Sequence, residues 1–266
     1  MIEEEVRAWV ERETGNRVVA TRSFTAATSS SVDAVEFDDG TRLVLRRYTR
    51  RQFLVIEPDA PGREVDVLRF AQKEGLPVPE VIAACDGEVP MLLMTLVEGQ
   101  PDPDPDLDQL AELAARIHAI DASGLGHDYF RWYEGVAVVP PQATDVGLWE
   151  SAIATWHERM PAYAPVFIHR DFHQGNVLWE QGSVSGIVDW VNACRGPAQC
   201  DIAHARNNLG PERGERFTRA YEHIADTTFD PYWDIASVLE HDAHEWTDPA
   251  NLREAEERLR RALGRR

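Results

Sequence analysis

Residues 166–179 read VFIHRDFHQGNVLW, and residues 186–190, a few positions further on, read GIVDW. In the first stretch, apolar side chains flank a short polar segment that contains His169, Asp171 and Asn176. This pattern predicts two strands joined by a tight polar loop. In the second stretch an apolar run ends at Asp189, which predicts a carboxylate at the tip of a strand. Together the two stretches predict a polar site on a small β framework.

The residue types in this site suit phosphoryl transfer. That reaction needs a base for the attacking hydroxyl, oxygen ligands for Mg²⁺ and a cation for the phosphates. Asp171 is the candidate base, and Asn176 and Asp189 offer the oxygen atoms that Mg²⁺ prefers. Arg46, in the run RLVLRR, is the candidate cation, and Glu64 supplies a carboxylate that can hold it in place.

The first hundred residues are predicted to form an antiparallel sheet with one main helix. A leading helix precedes three β-rich runs, and Asp38-Asp39-Gly40 predicts a hairpin turn between the second and third. An amphipathic helix from Pro61 ends at Gly75, and two further runs complete five strands. The predicted ranges are a helix over 2–14, strands over 17–24, 32–37, 41–48, 80–84 and 91–97, and a helix over 61–75.

Beyond Gly99 the pattern changes from strands to helices. The prolines of PDPDPD, residues 101–106, exclude a regular helix or a central strand there. We therefore expect an α+β protein with a nucleotide-binding N-terminal lobe over 1–94, a hinge over 95–99 and a mostly helical lobe over 100–266. The predicted helices of the second lobe cover 107–120, 145–159, 200–209, 212–225, 231–245 and 249–263.

The motifs resemble those of the aminoglycoside phosphotransferase and choline kinase family. HRDFHQGN fits the kinase catalytic-loop form H-R-D-x-x-x-x-N, and VDW at 188–190 stands where protein kinases carry DFG. LVEG at 96–99, GREVDVLRFAQKEGLPVPEV at 62–81, LAELAARIHAID at 110–121 and GPAQCDIAHA at 196–205 also match. The resemblance implies a protein-kinase-like bilobal fold. It also implies a small-molecule kinase that uses Mg²⁺ and moves the γ-phosphoryl group of ATP or GTP to a hydroxyl.

The resemblance also assigns roles to individual residues. Asp171 resembles the catalytic Asp, Asn176 and Asp189 the Mg²⁺ ligands, and Arg46 with Glu64 the ion pair of the small lobe. The remaining assignments are structural support of the catalytic loop by His169 and Asp201, adenine contacts from the Thr95 carbonyl and Val97 amide, and phosphate contacts at Ser29 and Ser30.

Two departures from the protein-kinase pattern leave a second hypothesis open. Arg46 stands where protein kinases use Lys, but Arg keeps its charge and binds phosphate with two donors. The nucleotide loop TAATSSSV, residues 25–32, contains no glycine. The alternative is therefore a nucleotide-binding pseudokinase or regulatory module without transfer activity.

A zinc hydrolase is disfavoured by the local pattern. His169 and His173 are four residues apart, as in zinc-binding helices, but the flanks indicate strands and Gly175 follows closely. The glutamate that H-E-x-x-H requires is also missing.

Composition limits the partners and the compartment. With 46 acidic and 27 basic residues the formal charge is −19, which disfavours binding to nucleic acid or anionic membranes. Three cysteines without CxxC spacing indicate reduced thiols, and the acidic N-terminus is unlike a signal peptide, so we expect a cytoplasmic protein.

The acceptor is not assigned by the sequence. Acidic residues of the helical lobe are candidates for binding amines, and equally for a solvated surface, while Trp132 or Tyr133 is a candidate for stacking on a sugar or an ammonium group. Because related kinases act on varied metabolites and antibiotics, the resemblance does not imply antibiotic resistance. The acidic candidates are Glu240, Asp242, Glu245 and Asp248.

Overall fold

The computed structural model describes residues 2–24, 30–158, 160–241 and 246–264. The chain forms two compact units, one of residues 1–102 with 175–193 and the other of residues 103–174 with 194–266. The predicted division at the 95–99 hinge cuts the chain only once, whereas residues 175–193 return to the first unit. They do so because a hairpin within them pairs with residues 100 and 101. The hinge itself stays a prediction.

Helices and strands have the following bounds. The helices are α1 (Glu4–Thr14), α2 (Arg51–Ile56), α3 (Ala60–Lys73), α4 (Leu107–His118), α5 (Val146–Glu158), α6 (Ala198–Leu209), α7 (Pro211–Ala225), α8 (Tyr232–Leu239) and α9 (Pro249–Ala262). The strands are β1 (Val18–Phe24), β2 (Ser31–Phe37), β3 (Arg42–Arg47), β4 (Val81–Cys85), β5 (Met91–Thr95), β6 (Gln100–Pro101), β7 (Pro165–Ile168), β8 (Val177–Glu180), β9 (Ser183–Ile187) and β10 (Cys194–Pro197).

The first unit is built on an antiparallel sheet with the order β1-β2-β3-β5-β4. Leu43 and Leu45 of β3 join Trp9 and Val10 of α1 in a buried apolar cluster. Because side chains alternate across a strand, Arg46 belongs to the opposite face of β3 from Leu45. That face holds a charged group in the interior, and Arg46 is only 4% exposed.

A second small sheet in this unit carries the start of the GIVDW stretch. Strands β8 and β9 form a hairpin in which Val177 is opposite Ile187, and β6 pairs along β8. The amide of Ile187 donates to the carbonyl of Pro77, and the Ser185 hydroxyl donates to the carbonyl of Glu98. The hairpin is therefore tied to the segment that follows β5.

The second unit has a helical core. Aromatic residues from two helices fill it, including Trp149 and Trp156 of α5 and Trp233 of α8, with Leu259 of α9 packed among them. Each fully buried side chain of this size contributes on the order of 2 kcal/mol through removal of apolar surface from water. The catalytic-loop stretch enters this unit on β7, which pairs antiparallel with β10.

The predicted α+β class is confirmed, with a five-stranded antiparallel sheet, its main helix and a largely helical second part. Helix α2 and strand β10 were not predicted, because RQFLVI lacks a helical period and CRGP is short and polar. The predicted helix over 231–245 is wrong at its end: α8 stops at Leu239, where Glu240 leaves helical geometry with a ψ of 24°. No helix among the described residues is long and apolar enough to cross a membrane.

Candidate active site

The first unit brings three of the predicted residues into direct contact around one guanidinium. Arg46 Nη1 lies 2.7 Å from Glu64 Oε1 and 2.8 Å from Asp189 Oδ1. Arg46 Nε also donates to the hydroxyl of Ser30 at 3.0 Å. The predicted phosphate contact of Ser30 stays a prediction, and Ser29 lies outside the described residues.

This cluster has unusual electrostatics because it is buried. Burial raises the pKa of Glu64, and the Arg46 charge only partly offsets that effect. Burial alone would lower the pKa of Arg46, but the charges of Glu64 and Asp189 raise it, so the guanidinium stays protonated. Tyr48, which the sequence prediction missed, donates its hydroxyl to Glu64, and burial together with the Glu64 charge raises its pKa.

Helix α3 and the segment after β9 hold Asp189 in place. Arg63, next to Glu64 on α3, donates to the carbonyl of Val191 at 3.0 Å and pairs with Glu57 at 2.9 Å. Asp189 itself has a φ of 66°, in the left-handed region that costs a non-glycine residue about 1 kcal/mol or more. Strain of this kind persists where the surrounding contacts over-determine the conformation.

Asn176 belongs to the same end of the β8–β9 hairpin as Asp189. Its carbonyl accepts a hydrogen bond from the amide of Val188, one residue before Asp189, at 3.0 Å. Asp189 Oδ1 has no solvent exposure and no well-aligned hydrogen bond despite its ion pair with Arg46. A carboxylate oxygen and an amide oxygen are the ligand types that a hard cation such as Mg²⁺ prefers, and the hairpin end supplies one residue of each kind.

In the second unit, Asp171 is paired with two histidines. Its Oδ1 lies 2.8 Å from His204 Nε2 and 3.7 Å from His173 Nε2. Burial would raise the pKa of Asp171, but the hydrogen bond and charge of His204 and the charge of His173 lower it strongly. Burial acts to lower the pKa of His204, but the hydrogen bond and charge of Asp171 raise it. The carboxylate is therefore ionised at neutral pH.

Asp201, on α6, connects the loop before Asp171 with helix α4. Its carboxylate accepts from the amide of His169 at 2.8 Å and from the amide of Arg170 at 2.6 Å. A third contact comes from His118 Nε2 at 3.1 Å, and His118 Nδ1 lies 2.7 Å from the Tyr221 hydroxyl. Asp201 is fully buried, so these hydrogen bonds replace its hydration.

His169 is fully buried within the same unit, and its Nδ1 accepts from the amide of Asp171 at 3.3 Å. The His-x-x-x-His spacing that the sequence shows does not form a pair on a helix, since the described residues here end β7 and enter a turn. His204 was not selected from the sequence, because it lies 33 positions after Asp171, in α6.

Arg170 fills an aromatic enclosure in the second unit. Its guanidinium lies 3.6 Å from the Trp132 ring centroid, with Tyr129 and Phe130 at 4.9 and 4.7 Å. Glu240 lies 3.5 Å from the same group and accepts from the Tyr129 hydroxyl. Two of the residues considered for acceptor binding are thus used inside the protein.

The structure describes two of the other four acceptor candidates. Asp248 caps α9 by accepting from the amides of Ala250 and Asn251, and Tyr133 packs against the aromatic core. Asp242 and Glu245 lie outside the described residues. Of the adenine-contact predictions, Thr95 ends β5 and its hydroxyl accepts from the amide of Glu80; the roles of Thr95 and Val97 stay predictions.

A cavity of about 390 Å³ lies in the second unit, between the end of α6 and α9. Its lining includes Asn207, Asn208, Glu254 and Arg258. The catalytic loop reaches this region, since Gln174 donates to the carbonyl of Asn208 at 2.9 Å. The cavity is polar and carries one side chain of each charge.

The five-stranded sheet with its buried Arg–Glu pair, together with a helical unit that carries an H-R-D loop, defines the class of protein-kinase-like phosphotransferases. The family model described as the phosphotransferase enzyme family matches residues 22–233. The chain belongs to this family, which confirms the resemblance seen in its motifs.

Individual relatives share only low sequence identity with this chain. A homoserine kinase of Pseudomonas aeruginosa strain UCBPP-PA14 is 25% identical over 185 residues, which cover 59% of this chain and 58% of the relative. The chain thus matches less than two thirds of that relative's length.

Solved structures share the fold. An aminoglycoside phosphotransferase APH(4)-Ia, in a ternary complex with ADP and hygromycin B, superposes with a TM-score of 0.72 at 17% identity, covering 98% of both chains. The macrolide 2'-phosphotransferase MphH from Brachybacterium faecium gives 0.66 at 17% identity, covering 97% of this chain and 98% of the other.

Proposed function

We propose that this protein is a kinase that transfers the γ-phosphoryl group of ATP, or of GTP, to a hydroxyl group of a small molecule. The observation that carries this proposal is the buried contact of Arg46 with both Glu64 and Asp189. An exposed ion pair contributes at most about 1 kcal/mol to stability. Burying charged groups costs several kcal/mol in lost hydration, which the pairing must offset. A buried cation held by two carboxylates, at the positions where kinases bind phosphate and metal, supports a nucleotide site.

Asp171 is the proposed base. The acceptor oxygen attacks the γ-phosphorus, the bond from that phosphorus to the β–γ bridging oxygen breaks, and the electron pair leaves with the nucleoside diphosphate. The hydroxyl proton moves to the Asp171 carboxylate. Because His204 and His173 keep the pKa of Asp171 low, it is a weak base that orients the hydroxyl and takes the proton late.

Asn176 and Asp189 are the proposed Mg²⁺ ligands, in keeping with their oxygen donors and their shared position at the end of the β8–β9 hairpin. When bound, the ion neutralises charge on the phosphate oxygens. Arg46 contributes a fixed positive charge, and Glu64 keeps its guanidinium fork in one orientation.

The acceptor class is proposed from the polar cavity in the second unit. Glu254 and Arg258 pair with each other there at 2.6 Å, and the polar lining suits a small polar molecule that carries a hydroxyl. A homoserine kinase is among the relatives, and homoserine has this chemistry. Homoserine is therefore the first acceptor to test, with an aminoglycoside and a macrolide as the comparison.

The test is release of ADP or GDP from the Mg²⁺ nucleotide, measured across this acceptor panel. We expect turnover that depends on one acceptor, and Asp171→Asn should lower kcat about 10²- to 10⁴-fold, as expected for loss of a general base. Asp189→Asn should abolish Mg²⁺-dependent turnover. Asp86→Asn, which changes an exposed turn carboxylate of the first unit, should leave activity unchanged.

Full activity in both Asp171→Asn and Asp189→Asn would contradict the assigned roles. A rise in Tm with Mg·ATP without transfer to any acceptor would instead identify a nucleotide-binding module.

A further inference from the structure

Three metal-binding side chains meet at Asp171 in the second unit. One ligand atom from each of Asp171, His173 and His204 lies within 4.8 Å of the other two. The imidazole rings of His173 and His204 have centroids 5.6 Å apart and are inclined by 38°. Two of these residues come from the catalytic loop and the third from α6.

We propose that this cluster is a binding site for Zn²⁺ or a similar divalent transition-metal ion. Ligand atoms at Zn²⁺ distances in a tetrahedral site lie about 3.3 Å from one another. The distances from Asp171 Oδ1, 2.8 Å to His204 and 3.7 Å to His173, are on either side of that value. The third separation, between the ligand atoms of His173 and His204, is no more than 4.8 Å, so side-chain adjustments of about 1 to 1.5 Å bring the three ligands into position.

The donor set selects the kind of metal. Two imidazoles with one carboxylate suit Zn²⁺, whereas Mg²⁺ prefers oxygen ligands only. The side chains of Asp171, His173 and His204 are 27, 23 and 26% exposed, so an ion and a coordinated water can reach them. Asp201 and Arg258, which have opposite signs, also act on His204, and His241 interacts electrostatically with it.

Metal binding changes the protonation of the cluster. Nε2 of His204 now contacts Asp171 and must present its lone pair to the metal, so a proton on Nε2 is released or moves to Nδ1. The hydrogen bond between His204 and Asp171 is then replaced by two bonds to one ion. If the proposed function holds, a metal at Asp171 occupies the base, and Zn²⁺ inhibits phosphoryl transfer.

Calorimetric titration of the metal-free full-length protein with ZnCl₂ tests the site itself. We expect one ion bound per chain at this site, and at least about tenfold weaker binding in both His173→Ala and His204→Ala, because each removes a ligand. His223→Ala changes an exposed histidine on α7 and should bind Zn²⁺ as the wild type does. Millimolar Mg²⁺ should not displace the ion.

Co²⁺ provides a second measurement that does not depend on affinity alone. Wild-type protein with Co²⁺ should show the visible absorption of a tetrahedral site, and His204→Ala should lose it while retaining the wild-type circular dichroism spectrum. Zn²⁺ affinity and Co²⁺ absorption that are unchanged in both histidine variants would overturn the proposal. Stoichiometric Zn²⁺ binding in a protein without kinase activity would sustain the metal site and refute only the proposed function.

Discussion

At the scale of single residues, Arg46 shows how hydrogen bonds and ion pairs offset the lost hydration of a buried charge. Its guanidinium has five donors in a fixed plane, and Glu64, Asp189 and Ser30 are all within reach of them. A lysine would carry its donors on one nitrogen, whereas Arg46 reaches the two carboxylates through Nη1 and Ser30 through Nε. The substitution of Arg for the usual kinase Lys therefore fits a site with two carboxylates.

Arg46→Met should cost about 3–5 kcal/mol in the free energy of unfolding, because it leaves buried Glu64 without a cation. Glu64→Met should cost a similar amount, since Arg46 loses a partner and the Tyr48 hydroxyl loses its acceptor. The double variant should cost clearly less than the sum. Urea denaturation measures all three.

The matched control for this cycle is Arg42→Met. Arg42 pairs with Glu98 on the surface, where the two side chains are 51% and 59% exposed. The expected cost is below about 1 kcal/mol. Equal costs for Arg42→Met and Arg46→Met would show that burial does not strengthen the Arg46 pair.

At the scale of elements, the β8–β9 hairpin and the segment after β5 approach each other closely. Gly99 has a φ of 119°, and a Cβ at this position would lie 2.3 Å from the Ser185 hydroxyl oxygen and 2.9 Å from the carbonyl of Trp179. Gly186 on β9 faces Val97 in the same way. The hairpin that carries Asp189 is thus held by backbone contacts that only glycine permits.

Gly99→Ala should lower the free energy of unfolding by about 2 kcal/mol or more, through both strain and steric overlap. Gly62→Ala is the matched control: Gly62 lies in α3 with open space around it, so alanine should be neutral or raise stability by up to about 1 kcal/mol. Thermal unfolding of both variants is the measurement. A Gly99→Ala protein as stable as the wild type would contradict the close approach.

At the scale of the whole chain, Glu256 connects segments that are more than a hundred residues apart. Its carboxylate accepts from the amide of Thr144 at 2.7 Å and from Trp149 Nε1 at 3.3 Å, although it is only 1% exposed. Burial would raise the pKa of Glu256, but the hydrogen bonds from Thr144 and Trp149 lower it. Helix α9 is in this way fixed to the start of α5.

A carboxylate whose pKa is lowered by folding stabilises the folded state at pH values above its pKa in the unfolded chain. This stabilisation is lost as the pH falls through its pKa in the folded protein. Glu256→Gln should therefore cost about 2 kcal/mol near neutral pH, and the difference from the wild type should shrink below about pH 4. Urea unfolding at several pH values measures this. Glu257→Gln, at an exposed position of the same helix, should show no such pH-dependent loss.

Much of this fold follows from local patterns. The β-rich run RLVLRR predicted β3, and the Asp-Asp-Gly turn predicted its pairing with β2. The order of Arg46, Glu64, Asp171, Asn176 and Asp189 predicted the family. These features depend on residues that are close in sequence or on a motif whose spacing is fixed.

The sequence by itself determined the α+β class, the family and the residue types of the candidate site. The tertiary structure alone decided which groups meet: Asp189 with Arg46, His204 with Asp171, and Trp132 with Arg170. The physical reason is that such contacts join residues far apart in the chain. Hydrophobic periodicity determines which face of an element is buried, whereas the partner of a polar group depends on how the elements pack.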